Sequence, residues 1–338
     1  MVKSRIKWYT LLVVCALMTA AWSSSHSTTI RVIWQPSAGA SSYFYADQEK
    51  LFEKYGLKID AIKIDTGPAE LPILASDSAD IAYMGGPPAV AGMAQGIPIK
   101  FFYVGYDAAD SEGLYMNPAL GVKNLRDVVG KTIAVTRGNT AHVALRQALK
   151  KEGLPLDSVK LKFMGSAQML PAYYRGDIDG AWLTSTWGGR LIELGAKLVF
   201  NEVQLGISMP SGWVVTEKFP KKNPEAVAKF VAALDEGAKA INSDPTTVSK
   251  HLADLTGNTV AQAEKMLADV HYTTTLDMLA DKSGISFVAA GGIAQSLANL
   301  STELFELALI PRALSVGEVE KQVEVETLRK AQKLPQSR

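Results

Sequence analysis

The chain has 338 residues, 47% of them hydrophobic, and a net charge of +1. That length builds two medium domains or one large one with a sizeable core, and so even a charge balance leaves no basic footprint for nucleic acid or an acidic membrane surface. Cys15 is the single cysteine, which excludes a disulfide framework and a thiolate metal cluster.

The N-terminal residues have the order of a secretory signal: basic MVKSRIKWY, apolar TLLVVCALMTAA, then small polar WSSSHS. Residues 1–25 are read as a signal peptide, cleaved between Ala20 and Ser25, which sends the mature chain to the periplasm. The apolar run is too short to span a bilayer. Lipidation at Cys15 is the alternative, but Val14 stands where a lipoprotein signal places Gly, Ala or Ser. Cleavage removes Lys3, Arg5 and Lys7 and no acid, leaving a slightly acidic chain without cysteine.

TIRVIW (29–34) reads as a strand of alternating branched residues. SSYFYADQEKLFEKYG follows as one helix stopped by Gly56. KIDAIKI is a strand, AELPILASDSAD a helix, IAYMG a strand, PPAVAGMAQG a short helix led by proline, and IKFFYVGY a strand. The series then restarts. LRDVVGKTIAVT carries a strand, NTAHVALRQALKKEGL a helix, SVKLKFMG a strand, AQMLPAYYRG a helix, IDGAWLT a strand, TWGGRLIELG a helix and KLVFNE a strand. Strands alternating with helices predict an α/β fold with mainly parallel sheets. Two similar series predict two lobes with a ligand cleft between them. After SGWVVTEKF the chain reads as helical, including TVAQAEKMLADVHY, and LRKAQKLPQSR reads as a solvated tail.

Chemistry is expected where strands break into helices. In IAVTRGNTAHVAL a strand ends on Arg-Gly-Asn-Thr and a helix begins. A helix start offers unpaired N–H groups and partial positive charge, and after a parallel strand it points into the crevice at the sheet's carboxyl edge. Gly138, Asn139 and Thr140 therefore suit a small anion; simple capping by Asn139 or Thr140 is the other reading. IAYMGGPPAV repeats the device with Gly85, Gly86 and Pro87. The two turns are expected to face each other. Neither is a P-loop, and no GxGxxG follows a strand.

Enzyme signatures are missing. The histidines are His26, His142, His251 and His271, none in HExxH, and no GxSxG elbow occurs. No cofactor and no metal site is expected; GDIDG is too short for a calcium loop and reads as a turn. His142 lies on the quoted helix, lining the cleft or sitting on the surface. Trp34, Tyr43, Trp182, Trp187 and Trp213 fall at or just past strand ends, as walls for a small molecule or as core.

These stretches together resemble the substrate-binding proteins of bacterial ABC importers for taurine and alkanesulfonates, with the two-lobed type II periplasmic-binding fold. QPSAGASSYFYADQEKLFEKYG, ADIAYMGGPPAVAGMAQGIPIK, VVGKTIAV, TAHVALRQALKKEGL, YYRGDIDGAWL and GWVVTEKFPKKNPEAVAKF carry the likeness across the mature chain. The resemblance implies lobe 1 from residues 27–105 plus 210–330 and lobe 2 from 106–209, with crossings near Val104–Asp107 and Gly206–Ser211. It implies a monomer that closes on a small anionic ligand and docks on a permease with its ATPase. The ligand set it implies is Gln35, Ser37, the two glycine turns, Thr140 and, from the position where taurine binders are expected to carry an acid, Ser211; the residue reading adds Tyr43, His142, Trp182 and Trp187. Taurine's ammonium needs an anionic partner. Acidic residues are expected in taurine binders where this sequence has Gly39 and Ser211, so the resemblance favours a sulfonate without an amine, or a bulkier or aromatic one. Asp65, Asp107 and Glu112 are substitutes the sequence does not place. Binders of nitrate or thiamine pyrimidines, a ligand-sensing domain and an enzyme on this fold are the alternatives, the last disfavoured by the export signal.

Overall fold

Strand β1 (Thr28–Trp34) pairs in parallel with β2 (Leu57–Lys63) and β3 (Ile81–Gly85), as branched residues at alternate positions demand. The computed structural model describes residues 27–107, 112–207, 209–268, 270–281 and 284–335. Residues 1–25, read above as a signal peptide and including Cys15, together with His26 and the side chain of Asp107, lie outside the described set.

In chain order, α1 (Ser41–Gln48) and α2 (Leu51–Lys54) precede β2, and α3 (Gly67–Ala75) and α4 (Gly86–Ala94) flank β3. After β4 (Ile99–Asp107) come β5 (Glu112–Met116), β6 (Thr132–Val135), α5 (Thr140–Lys151), β7 (Lys160–Phe163), α6 (Ser166–Tyr174), β8 (Gly180–Thr184), α7 (Ser185–Glu193) and β9 (Lys197–Asn201). The chain closes with β10 (Ser211–Thr216), α8 (Lys218–Lys222), α9 (Ala226–Ser243), α10 (Thr246–Thr256), α11 (Val260–Ala268), β11 (His271–Tyr272), α12 (Thr275–Leu279), α13 (Ile293–Glu306), α14 (Val316–Glu320) and α15 (Val325–Ala331).

Two sheets result, a mixed α/β architecture with strand orders β11-β4-β10-β3-β1-β2 and β7-β6-β8-β5-β9. The chain leaves the first sheet after β4 and returns to it with β10, which lies antiparallel between β4 and β3. β5 is likewise antiparallel to β8 and β9. The parallel runs are therefore β1–β2–β3 and β6–β7–β8, and each sheet carries an antiparallel insertion where the chain crosses.

Four elements differ from the sequence reading. Lys50 takes a left-handed conformation (φ 55°) and splits the first helix in two. β5 went unread because all five of its residues are buried, so EGLYM shows no alternation. Val270 to Tyr272 is not helical: β11 pairs with β4 through Tyr272 and Tyr106. The expected solvated tail contributes α15, whose Leu328 and Ala331 are buried and which packs on α9, so this helix belongs to the core.

The first sheet's core is aromatic. Trp213 of β10 is fully buried, with Tyr43, Tyr83 and Phe230 ring centroids 5.2–5.3 Å away. Trp34 packs edge-on against Phe44 at 5.3 Å. These rings brace β1 and β3, whose carboxyl ends present the candidate site.

Candidate functional site

A cavity of about 50 Å3 lies between the carboxyl ends of the two sheets, and six helix starts line it. Ser37 caps the 3-10 turn 38–40; Thr66 and Gly67 open α3; Gly85 precedes α4; Asn139 and Thr140 open α5; Ser166 opens α6; Thr184 precedes α7. Except at α4, where the Pro210 carbonyl takes the Gly86 amide and Pro87 and Pro88 have no N–H, each start brings amides with no carbonyl one turn back, and all bring a partial positive charge. The Thr66 and Thr184 hydroxyls are not spent on capping their helices, and Thr184 Oγ1 is buried without a partner. Together these groups can hold a small oxyanion.

The two glycine turns do face each other. A Cβ on Gly85 would lie 2.7 Å from Thr140 Cγ2, so the methyl of α5 rests against the bare backbone before α4. Gly138 has φ +78°, a left-handed turn that glycine enters freely, and it swings the chain into α5. Asn139 Oδ1 accepts the His142 amide at 3.3 Å.

Gln35 lies on the first-sheet side. Its Nε2 donates to Glu70 Oε1 at 2.8 Å and to the Tyr83 carbonyl at 3.0 Å. The carbonyl can only accept, which fixes the amide and leaves Gln35 Oε1 as the acceptor. Glu70 is wholly buried, and burial holds its carboxyl well above the usual range.

Carboxylates also reach the cavity. Asp65 and Glu112 line it. Glu112, at the start of β5, is 6% exposed; its Oε1 accepts from Thr140 Oγ1 at 2.6 Å and its Oε2 has no partner. Burial raises its pKa to about 7, with the Thr140 hydroxyl pulling the other way. Glu202 is driven well above the usual range, first by burial and then by the nearby Glu112 charge. The site thus combines a field that favours an anion with an acceptor that favours a cation.

Of the residues singled out in sequence, Gln35, Ser37, Gly85, Asn139, Thr140 and Trp187 line the cavity. The others lie elsewhere. Tyr43 and Trp182 are core side chains, 2% and 0% exposed. The Gly86 amide is spent on the Pro210 carbonyl at 2.7 Å, and Pro87 is buried at the start of α4. Gly138 opens onto a separate groove beside Arg137, its amide donating to His142 Nδ1 at 3.3 Å. His142 is buried against Phe163, and burial with the Arg137 and Arg146 charges lowers its pKa to about 4. Ser211 pairs with Gly85 and Tyr106 inside β10. An acidic side chain has no room at position 39, because a Cβ there collides with the Tyr83 hydroxyl and the Tyr106 ring. The aromatic-wall argument loses most of its residues: Trp182 and Trp213 are buried in the core, Trp34 packs half-buried against it, and Trp187 alone of the tryptophans named reaches the cavity.

Sequence reasoning missed Thr66, Gly67, Ser166 and Thr184, and left Asp65 and Glu112 unplaced. The first four carry the signal that revealed Asn139 and Thr140, a small polar residue or glycine at a strand-to-helix boundary.

The NMT1/THI5-like family model matches residues 38–248. The chain belongs to the NMT1/THI5-like family. Within it, the chain is 29% identical to the taurine-binding periplasmic protein of Escherichia coli K12 over 77% of its length and 83% of that protein. It is 26% identical to a putative aliphatic sulfonates-binding protein of Bacillus subtilis 168, over 56% of this chain and 57% of that one. The fold matches the alkanesulfonate-binding protein SsuA of Xanthomonas axonopodis pv. citri bound to MOPS, with a TM-score of 0.73 at 20% identity over 88% and 98% of the two chains. It also matches the nitrate-binding protein NrtA of Synechocystis PCC 6803, with a TM-score of 0.70 at 13% identity over 90% and 88%. The cavity sits where this fold brings its two sheets together.

Proposed function

We propose that this protein is the periplasmic binding component of an ABC importer, taking a small organosulfonate between its two sheets and handing it to a membrane permease with its ATPase. The observation that carries the reading is the convergence of six helix starts on one small cavity. A sulfonate is a permanent anion with three acceptor oxygens, and backbone amides at helix starts suit it without needing a full counter-charge. The taurine and aliphatic-sulfonate names of the relatives support the same class. Two lobes, 27–105 with 210–330 and 106–209, close over the ligand in this proposal, and the protein binds without catalysis, as a monomer. A bare inorganic anion such as nitrate is the second reading, raised by the NrtA likeness in fold. The carboxyl groups of Asp65 and Glu112 on the cavity disfavour it.

A thermal-shift screen of the chain from residue 26 onward tests the proposal. A sulfonate at a hundred times its dissociation constant adds about 2.7 kcal/mol of stability, and at least one of taurine, isethionate, propanesulfonate or a buffer sulfonate is expected to do so. A flat sulfonate series alongside a response to nitrate or a pyrimidine overturns the sulfonate reading.

A further inference from the structure

Helix α7 is a wall shared by two cavities. Thr184 and Trp187 line the small one described above. Ser185, Gly189 and Ile192, which share one face of the helix, line a second cavity of about 310 Å3. Tyr115 of β5 and Leu198 of β9, paired across the second sheet, line it from the strand side, and Met266 of α11 lines it from the helix side. Tyr115 and Met266 are buried, while Ile192 and Leu198 keep 48% and 43% of their surface exposed. Glycine inside a helix is costly relative to alanine, yet α7 carries two in a row. A Cβ on Gly188 would collide with the Tyr115 ring, so the bare backbone seats α7 on β5. A Cβ on Gly189 would lie 2.7 Å from Asn258 Oδ1 and 3.5 Å from Met266 Cε, so this glycine leaves α11 room on the other side. A hollow of about 300 Å3 or more, mostly apolar and with few polar groups, is the usual form of a small-molecule site.

The polar groups indicate what kind of molecule. Gln262 is already committed, its Nε2 donating to Glu193 Oε1 at 3.2 Å and its Oε1 accepting the Thr259 amide at 2.8 Å. Lys265 is the only charged side chain among the described residues that line the cavity, and its ammonium has no partner among them. We propose that this cavity is a second ligand site, taking an apolar carboxylic acid whose body fills the hollow and whose carboxylate meets Lys265. An apolar cavity of about 150 Å3 takes benzene, so 310 Å3 has room for two fused rings or an alkyl chain of similar bulk. The walls also join the two halves of the molecule. β5, β9 and α7 belong with the second sheet, whereas α11 packs on α10 and α10 on α1, beside the first. A molecule seated there touches both halves and favours the arrangement that holds them together. Under the proposed closure it tightens binding in the small cavity, and linkage makes the effect mutual. The site stands apart from the sulfonate reading; the linkage rests on it.

Calorimetry with 2-naphthoate and the neutral 2-naphthol is the experiment. 2-Naphthoate is expected to bind saturably with a dissociation constant of about 1 mM or below, and more tightly than 2-naphthol. Lys265→Gln is expected to weaken 2-naphthoate about two- to fivefold and to leave 2-naphthol unchanged. Ile192→Glu, which sets a like charge beside the carboxylate, is expected to weaken 2-naphthoate more than 2-naphthol. Both side chains are exposed, so the fold is expected to stand in each variant. Propanesulfonate then separates the two cavities. Saturating 2-naphthoate is expected to tighten propanesulfonate about fivefold or more, and propanesulfonate to tighten 2-naphthoate by the same factor. Displacement of 2-naphthoate by propanesulfonate would put the probe in the small cavity and overturn the proposal. So would affinities for propanesulfonate that ignore 2-naphthoate, or 2-naphthoate binding unaltered in both variants. A cavity that takes neither naphthyl probe is left to a protein segment, and the proposal falls. Should no sulfonate bind, the sulfonate reading fails, and the second site is still decided by 2-naphthoate and the two variants.

Discussion

Glu112 and Glu202 are buried carboxyls near one another at the start of β5 and the end of β9, joined through the backbone by the Glu202 amide on the Glu112 carbonyl. Burial and then the like charge of Glu112 push the Glu202 carboxyl well above its usual range, while burial lifts Glu112 to about 7. The direction of the pH effect comes from that difference. Unfolded, Glu112 loses its proton near 4.5; folded, it keeps it to about 7. Between these values the unfolded chain binds fewer protons, so the ligand-free protein loses stability as pH rises from about 4.5 to 7 and levels off above. Asp65 on the cavity, Glu70 behind Gln35, and His142 on α5, which is neutral above about 4, are the other titratable groups near the site. The melting temperature of the ligand-free protein should therefore fall as pH rises through that range. Calorimetric melts at pH 5, 6, 7 and 8 check this, and a pH-independent melting temperature would contradict it. Thr140 holds Glu112 Oε1 and lines the cavity; Thr140→Ala should weaken binding of the proposed sulfonate by about 1–3 kcal/mol. Unchanged affinity would remove Thr140 from the site.

At the scale of elements, the site depends on two helix starts meeting without side chains in the way. Gly85 before α4 and Thr140 opening α5 touch through a methyl group. Gly85→Ala puts a second methyl 2.7 Å from Thr140 Cγ2, an overpacking that costs about 1–3 kcal/mol and is expected to appear as weaker ligand binding. Thr140→Ser removes Cγ2 and keeps the hydroxyl on Glu112. The double variant should therefore bind better than Gly85→Ala alone, and a cycle that is simply additive would show that the two turns do not press on each other. This contact also shows what sequence can and cannot reveal. IAYMG, TIAV and the small polar residues after them announce strands that turn into helices, because periodicity and capping act within a few residues. Their meeting across a cavity is visible only when β5 and β10 insert antiparallel and bring the sheets together. EGLYM hides from pattern reading because every side chain in it is buried, and the acid that completes the site sits on that strand. Tyr43 and Trp182 mislead for a related reason: the end of a strand and the core beneath it carry the same aromatic signature.

Across the whole molecule, α5 links the cavity to a charged seam. Its first residue holds Glu112; nearly two and nearly three turns on, Arg146 and Lys150 form ion pairs with Glu303 and Glu306 of α13. Arg146 and Glu303 are 16% and 15% exposed, so this pair is largely out of solvent, while the Lys150 contacts are more open. Arg146 and Lys150 are four residues apart, as are neighbours on one helix face, and Glu303 and Glu306 are three apart. α13 packs in turn on α4, where Leu300 lies beside Gly86. A second bridge runs from Asn258, between α10 and α11, to the Thr186 carbonyl of α7 at 3.0 Å. The seam joins helices of the two sheets, so under the proposed closure it is a contact that parting the sheets breaks. Removing it lowers the fraction of molecules ready to bind, and the apparent dissociation constant rises by the inverse of that fraction. The double variant Glu303→Gln/Glu306→Gln should weaken ligand binding by about 1 kcal/mol, roughly fivefold. Small-angle scattering should show a larger ligand-free radius of gyration than wild type, returning to the wild-type value at saturating ligand. High salt should weaken the wild type towards the variant and change the variant little, since screening acts on the charges the variant lacks. A variant with wild-type dimensions and affinity would place the closing energy in the cavity and the Asn258 bridge instead of the charged seam.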